Sequence, residues 1–214
     1  NLMANVFNVG LIGCGHIAET YFRAHKYFNN FKITKCADIN QNAANKCAKI
    51  NKIKAVTIKE LLSDTDIKII LNLTIPAAHY EVAKQALLNG KHVYSEKPLA
   101  INFQDGKKLI KLAKKKKLYV GNAPDTFLGG GSQKSRDLLD KKVIGKVIFG
   151  NAIFAYPGIQ SYHPNPESWF AKKGGGPVVD MGPYYLTALV NLLGPAKEVL
   201  SQSEKGRETR VIGK

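Results

Sequence analysis

The apolar run Phe7 to Ile12 leads directly into Gly13-Cys14-Gly15-His16-Ile17-Ala18, and a helix-like stretch follows at once. No other feature constrains the fold as strongly. A glycine turn that leaves a strand and opens a helix is the dinucleotide fingerprint, here with Ala in the third place, where the only requirement is close packing of helix on strand. The glycines let the backbone turn sharply and approach a pyrophosphate, whose charge rests on the unpaired amides of the helix N-terminus. Gly13, Gly15, His16 and Ile17 are therefore candidate cofactor-binding residues. Asp38 ends the predicted second strand 20 residues after Ala18, where an acidic side chain accepts hydrogen bonds from the adenosine ribose. A glycine turn with no ligand is the alternative, weakened by this full context.

The rest of the first 122 residues repeats the same period. A helix is predicted over Ile17 to Tyr27, a strand over Phe31 to Ala37 and a helix over Gln41 to Ile50. Thr57-Ile58-Lys59-Glu60 reads as a capping box, Ile67 to Leu73 as a buried strand, and Pro76 as the start of a helix that Gly90 stops. His92 to Ser95, Asn102 to Lys117 and Leu118 to Gly121 complete strand, helix and strand. Short apolar runs alternating with helices imply a parallel sheet covered on both faces. After Asn122 the pattern changes. A helix near Ser132 to Lys141, strands at Lys146 to Phe154 and Lys197 to Ser203, and a helix from Pro183 to Leu193 are expected there. The fold class is α/β: a Rossmann-type doubly wound parallel sheet over 1–122, then a partial α+β substrate or oligomerisation domain over 123–214.

Charge and cysteine usage narrow the partners. The net charge is +16, but 28 lysines stand against 4 arginines, whereas phosphate and base recognition favours the guanidinium fork. No specific nucleic-acid partner is expected, and Lys114 to Lys117 read as a solvated helix end. No apolar run is long enough to span a membrane, and the N-terminus has no leader pattern, so a cytoplasmic protein is expected. Cys14, Cys36 and Cys47 are an odd set without a C-x-x-C pair, so neither a disulfide framework nor a metal site is expected. Cys14 reads as a small filler whose backbone matters more than its sulfur.

Two further stretches carry a resemblance. They are Asn72-Leu73-Thr74-Ile75-Pro76-Ala77-Ala78-His79 with Gly90-Lys91-His92-Val93-Tyr94-Ser95-Glu96-Lys97-Pro98-Leu99-Ala100, and Gly174-Gly175-Gly176-Pro177-Val178-Val179-Asp180-Met181-Gly182-Pro183-Tyr184-Tyr185. With the fingerprint, they make the chain resemble the Gfo/Idh/MocA oxidoreductases, which include glucose-fructose oxidoreductase and inositol dehydrogenase, from about Val6 to Pro195. The resemblance places Thr74, Pro76, His79, Glu96 and Lys97 along the cofactor. A histidine that only binds local backbone is the alternative for His79.

Glu96-Lys97-Pro98 leaves the end of a parallel strand at the carboxyl edge of the sheet, where open α/β folds bind ligands. An ammonium there can polarise a carbonyl or steady an alkoxide. The Lys97-Pro98 bond is expected to be cis, since proline lowers that cost to about 0.5–1 kcal/mol. In the family this lysine works with an aspartate, matched by Asp180, and a histidine, replaced here by Tyr184. Asp180 and Tyr184 are four apart and would share one helix face. Tyrosine has a reference pKa near 10, so Tyr184 either shuttles a proton with help from Lys97 or serves as a hydrogen-bonding wall. His163 is a rival source of imidazole.

The resemblance implies hydride transfer between a nicotinamide cofactor and a secondary alcohol or ketone of a sugar, cyclitol or derivative. NAD is preferred, with NADP possible, because Ile39 and Asn40 follow Asp38 and no arginine waits for a 2′-phosphate. A cofactor-binding sensor or inactive scaffold is the alternative. The chain is expected to be a C-terminally truncated part of a protein that is a homo-oligomer at full length, with residues 1–122 binding NAD and the short chain turning over little polyol.

Overall fold

Strand and helix alternate along the first 123 residues because each apolar run can bury itself only against the helices on either side. In the computed structural model the described residues are 6–160, 166–167, 174–204, 206, 208–209 and 211–212. They divide into two compact units, 1–123 and 124–214. In the first, β1 (Phe7–Ile12), β2 (Phe31–Ala37), β3 (Lys54–Ala55), β4 (Ile67–Asn72), β5 (His92–Ser95) and β6 (Val120–Asn122) form one sheet in the order β3-β2-β1-β4-β5-β6. Every pairing is parallel. The chain steps outward from β1 through β2 to β3, then crosses back to β4 and steps outward the other way. The crevice between the carboxyl ends of β1 and β4 is therefore the topological switch point.

Helices α1 (His16–Ala24), α2 (Gln41–Asn51), α3 (Ile58–Ser63), α4 (Pro76–Leu88) and α5 (Phe103–Lys116) cover the two faces. Successive strand residues point to opposite sides, which splits the core in two. Val9, Leu11, Ile33, Cys36 and Leu71 pack with Ala18 and Phe22 of α1 and Cys47 and Ala48 of α2. Ile12, Ala37, Ile70 and Val93 pack with Leu61 and Leu62 of α3, Ala83 and Leu87 of α4, and Leu109 of α5.

Local chemistry sets the helix ends. Asn40 Oδ1 accepts from the amides of Asn42 and Ala43, and Thr57 and Glu60 form the reciprocal capping box. Asn102 caps α5, whose last turn carries Lys114, Lys115 and Lys116 where cations complement the macrodipole. The predicted first helix ends at Ala24 and continues only as a 3-10 turn, His25–Tyr27. The two-residue strand β3 was too short to show in the sequence pattern.

The second unit includes the α-helices α6 (Gly130–Asp140), α7 (Pro177–Asp180) and α8 (Gly182–Leu193). Arg136 of α6 donates through Nη1 to the carbonyls of Asn191 and Leu192, satisfying the end of α8, and through Nη2 to Asp140. The strands expected over Lys146 to Phe154 and Lys197 to Ser203 are absent: the described residues there are extended or irregular and unpaired with any strand. Alternation alone cannot hold a strand without a neighbour to complete its ladder. Ile148 and Leu200 are 90% and 94% exposed, so neither segment has a buried face to fix it.

Candidate dinucleotide and catalytic site

The fingerprint turn sits at the switch point and is shaped by a close approach of backbone to backbone. Gly13 adopts φ +101, and a Cβ there would lie 2.6 Å from the carbonyl carbon and oxygen of Leu73. The Gly13 amide donates to the Ala37 carbonyl, and the Leu73 amide donates to that of Ile12. Only glycine satisfies both the dihedral and the space. Gly15 differs: a Cβ there would meet nothing within 4 Å. Gly15 is the N-cap of α1 and provides no side-chain cap, so the helix N-terminus faces open space with its amides available to an anion. His16 and Ile17, the first residues of α1, are exposed beside it.

Asp38 is fixed at the end of β2. Its Oδ2 accepts from the Cys14 amide at 2.8 Å and its Oδ1 from the Asn40 amide at 2.8 Å. An ionised carboxylate has further lone pairs on both oxygens, so it remains competent to accept ribose hydroxyls. Ile39 beside it is 95% exposed. An open glycine, an uncapped helix start and a fixed acceptor fit a dinucleotide of the NAD type.

The second part of the site is a buried polar knot at the carboxyl ends of β4, β5 and β6. Asn72 donates through Nδ2 to the His79 carbonyl at 2.9 Å and to Ser95 Oγ at 3.1 Å, and its Oδ1 accepts from the Thr74 hydroxyl at 2.7 Å. Asn122 donates through Nδ2 to the carbonyls of Ser95 and Glu96. Glu96 accepts from Tyr21 Oη at 2.9 Å, tying the fingerprint helix to the strand end, and from the Lys97 amide at 3.1 Å. Lys97 is half-buried on this edge, and the Lys97–Pro98 bond is cis. Pro76 stands at the start of α4.

Of the two readings of His79, the structure favours the one in which the ring binds backbone. Its ring is 1% exposed, with Nδ1 2.6 Å from the Pro98 carbonyl oxygen and Nε2 2.9 Å from that of Thr74. Both nitrogens face backbone carbonyls, which can only accept, so the ring lies between the Thr74 and Pro98 turns and braces them. Asp180 and Tyr184 do not share one helix: α7 ends at Asp180, and Met181 separates it from α8. Met181 keeps right-handed helical dihedrals between them, φ −103 and ψ −30, and both residues are half-buried. His163 lies outside the described residues.

Tyr21, Asn72, Ser95 and Asn122 are absent from the candidates read from the sequence. Asn72 and Ser95 had a signal, since each is a polar residue ending an apolar strand and each is fully buried. Tyr21 had none, because its partner is 75 positions away. The spacing of the cysteines also hid a cluster: the thiols of Cys14, Cys36 and Cys47 meet beneath the turn. Hydrogen bonding from Cys14 draws Cys36 below the ordinary thiol value, the same contact raises Cys14, and burial pushes Cys47 up to about 11.

Residues 7–123 match the model of the oxidoreductase family with the NAD-binding Rossmann fold, and residues 132–211 match the GFO/IDH/MocA C-terminal domain. An uncharacterized oxidoreductase of Schizosaccharomyces pombe is 30% identical over 156 residues, which cover 71% of this chain and 40% of that protein. Trans-1,2-dihydrobenzene-1,2-diol dehydrogenase of Xenopus laevis is 34% identical over 126 residues, covering 59% of this chain and 37% of that protein. The chain therefore spans about two fifths of the length of these relatives. Among solved structures, the WlbA dehydrogenase of Bordetella pertussis, in complex with NADH and UDP-GlcNAcA, superposes with a TM-score of 0.79 at 20% identity, covering 91% of this chain and 57% of that one. At that identity the likeness concerns the fold.

Proposed function

This chain belongs to the Gfo/Idh/MocA oxidoreductases, and from that premise we propose that it serves NAD-dependent hydride transfer to or from a secondary alcohol or ketone of a sugar, cyclitol or derivative. The observation that carries this reading is the pairing of an open, uncapped fingerprint turn with Lys97 on one sheet edge, joined by the Tyr21–Glu96 hydrogen bond. Gly13 and Gly15 give backbone access to the pyrophosphate, the first amides of α1 at His16 and Ile17 receive its charge, and Asp38 accepts from the ribose. Thr74 and Pro76 border the nicotinamide end. When bound, the nicotinamide supplies the hydride donor or acceptor.

The chain's own residues orient the substrate and manage the proton. Lys97 polarises a carbonyl or steadies an alkoxide with its ammonium. Asp180 and Tyr184 are the further residues proposed for the proton, with Tyr184 either passing it or holding the substrate by a hydrogen bond. NAD is favoured over NADP because a carboxylate at Asp38 repels a 2′-phosphate and no arginine follows it. The test is a screen of polyols, sugars and sugar acids with each oxidised cofactor, on this chain and on any longer form of the protein that carries it. Cofactor reduction by at least one compound, lost in Lys97→Ala, supports the reading. Tight NAD binding with no turnover by any form would favour a sensor or scaffold, the reading that Tyr184 in place of a histidine also suggests.

A further inference from the structure

We infer that Cys14, Cys36 and Cys47 form a three-thiolate site for a soft monovalent cation of the cuprous type, set beneath the fingerprint turn. The three side chains come from the turn after β1, from β2 and from α2, and their Sγ atoms all lie within 4.8 Å of one another. All three are free thiols, with Cys36 and Cys47 buried and Cys14 half-buried.

Geometry separates an ion from the alternatives. Metal–sulfur bonds of about 2.3 Å place three sulfurs of a planar site about 4.0 Å apart. An edge of 4.8 Å therefore contracts by less than about 1 Å to hold an ion. A disulfide joins only two sulfurs, about 2.05 Å apart, and would leave the third thiol of the cluster out. Among the described residues no histidine or carboxylate joins the cluster, so the donor set is three sulfurs. Structural zinc is almost always four-coordinate, whereas thiolate donors also select cuprous copper. The outer contacts suit this use. Asn51 donates through Nδ2 to Cys47 Sγ at 3.8 Å, a contact that a thiolate strengthens. The weak thiol contacts from Cys14 to the Ala37 carbonyl and from Cys36 to that of Ala44 are given up as the thiol protons leave to solvent.

Cys14 couples the ion to the turn, because it lies between Gly13 and Gly15 and its amide holds Asp38. Three thiolates around a monovalent cation carry two net negative charges beneath the place where a pyrophosphate would sit. Ion and dinucleotide therefore oppose one another, and by linkage the effect is reciprocal. This coupling rests on the dinucleotide reading above; the ion site does not.

The test titrates the reduced, metal-free 214-residue chain with cuprous ion against a chromogenic cuprous chelator. Alkylation of the cysteines is followed by intact mass in parallel. One ion per chain, protection of all three thiols, and affinity reduced about tenfold or more in both Cys14→Ala and Cys36→Ala are expected. Cys14→Ala keeps the backbone role of that residue, and circular dichroism checks that each variant is folded. NADH affinity is expected to fall several-fold with ion in the wild type and to be insensitive to ion in Cys14→Ala. Equal cuprous affinity in wild type and folded Cys14→Ala, or thiols that remain open to alkylation, overturns the site. A chain that instead loses two hydrogens on exposure to a small disulfide makes the cluster a redox pair and also overturns it. Ion binding without effect on NADH affinity overturns the coupling, while failure of NADH binding alone strikes the dinucleotide reading and leaves the ion site standing.

Discussion

The amide of Cys14 donates to Asp38 Oδ2 at 2.8 Å, so the fingerprint turn and the acid that ends β2 are one structural unit. The carboxylate shapes the turn, and in the proposed reading its remaining lone pairs accept from a ribose. Asp38→Ala is therefore expected to weaken NADH by about tenfold to a hundredfold, the scale of one or two hydrogen bonds to a charged group. NADPH should weaken less, narrowing the gap between the two. Calorimetric titration of both nucleotides checks this, and tighter NADPH than NADH in the wild type contradicts it.

Gly13→Ala acts on the fold. Its Cβ would meet Leu73 backbone at 2.6 Å in a conformation with φ +101. A loss of at least about 1–3 kcal/mol is expected from the dihedral alone. Urea unfolding measures it, and an unchanged midpoint would show that the turn relaxes freely.

Lys97→Ala is expected to lower turnover by about 10²–10⁴ in any active form of the protein while leaving NADH affinity within a few-fold. Stopped-flow reduction and equilibrium titration separate the two effects. A near-normal rate would move the proton chemistry to another group.

Asp64 gives a pH prediction. Its hydrogen bond from Lys35, supported by the Asp66 amide, holds its carboxyl below the usual carboxylate range. A lowered folded pKa contributes stability above the unfolded value, about pH 4, which is lost as pH falls through the folded value. Asp64→Asn should lower the thermal midpoint at neutral pH and flatten its decline between about pH 5 and pH 3. A variant that matches the wild type across that range contradicts the assignment.

Five of the six strands and the helices of the first unit were legible because period, caps and turns agree with one another. Thr57 and Glu60 form the capping box their spacing implies, and Pro76 opens α4 as its fixed φ suggests. Legibility ended where a residue's role depends on a distant partner. His79 reads as a cofactor neighbour on its helix, but carbonyls of two separate turns occupy its ring. Tyr21 reads as a helix aromatic, and only the folded chain brings it to Glu96. The segment from Lys146 to Phe154 alternates like a strand, yet pairing is a property of two segments and cannot be read from one.

The dinucleotide reading is tested most directly at Gly15, where an added methyl meets nothing in the protein itself. NADH titration of wild type and Gly15→Ala, with thermal midpoints of both, isolates the ligand's demand for that space from the fold's. The wild type is expected to bind one NADH per chain, and Gly15→Ala to bind about tenfold more weakly or worse at an unchanged midpoint. A folded wild type that binds neither NADH nor NADPH, or a Gly15→Ala variant that binds NADH as tightly as the wild type, contradicts the account.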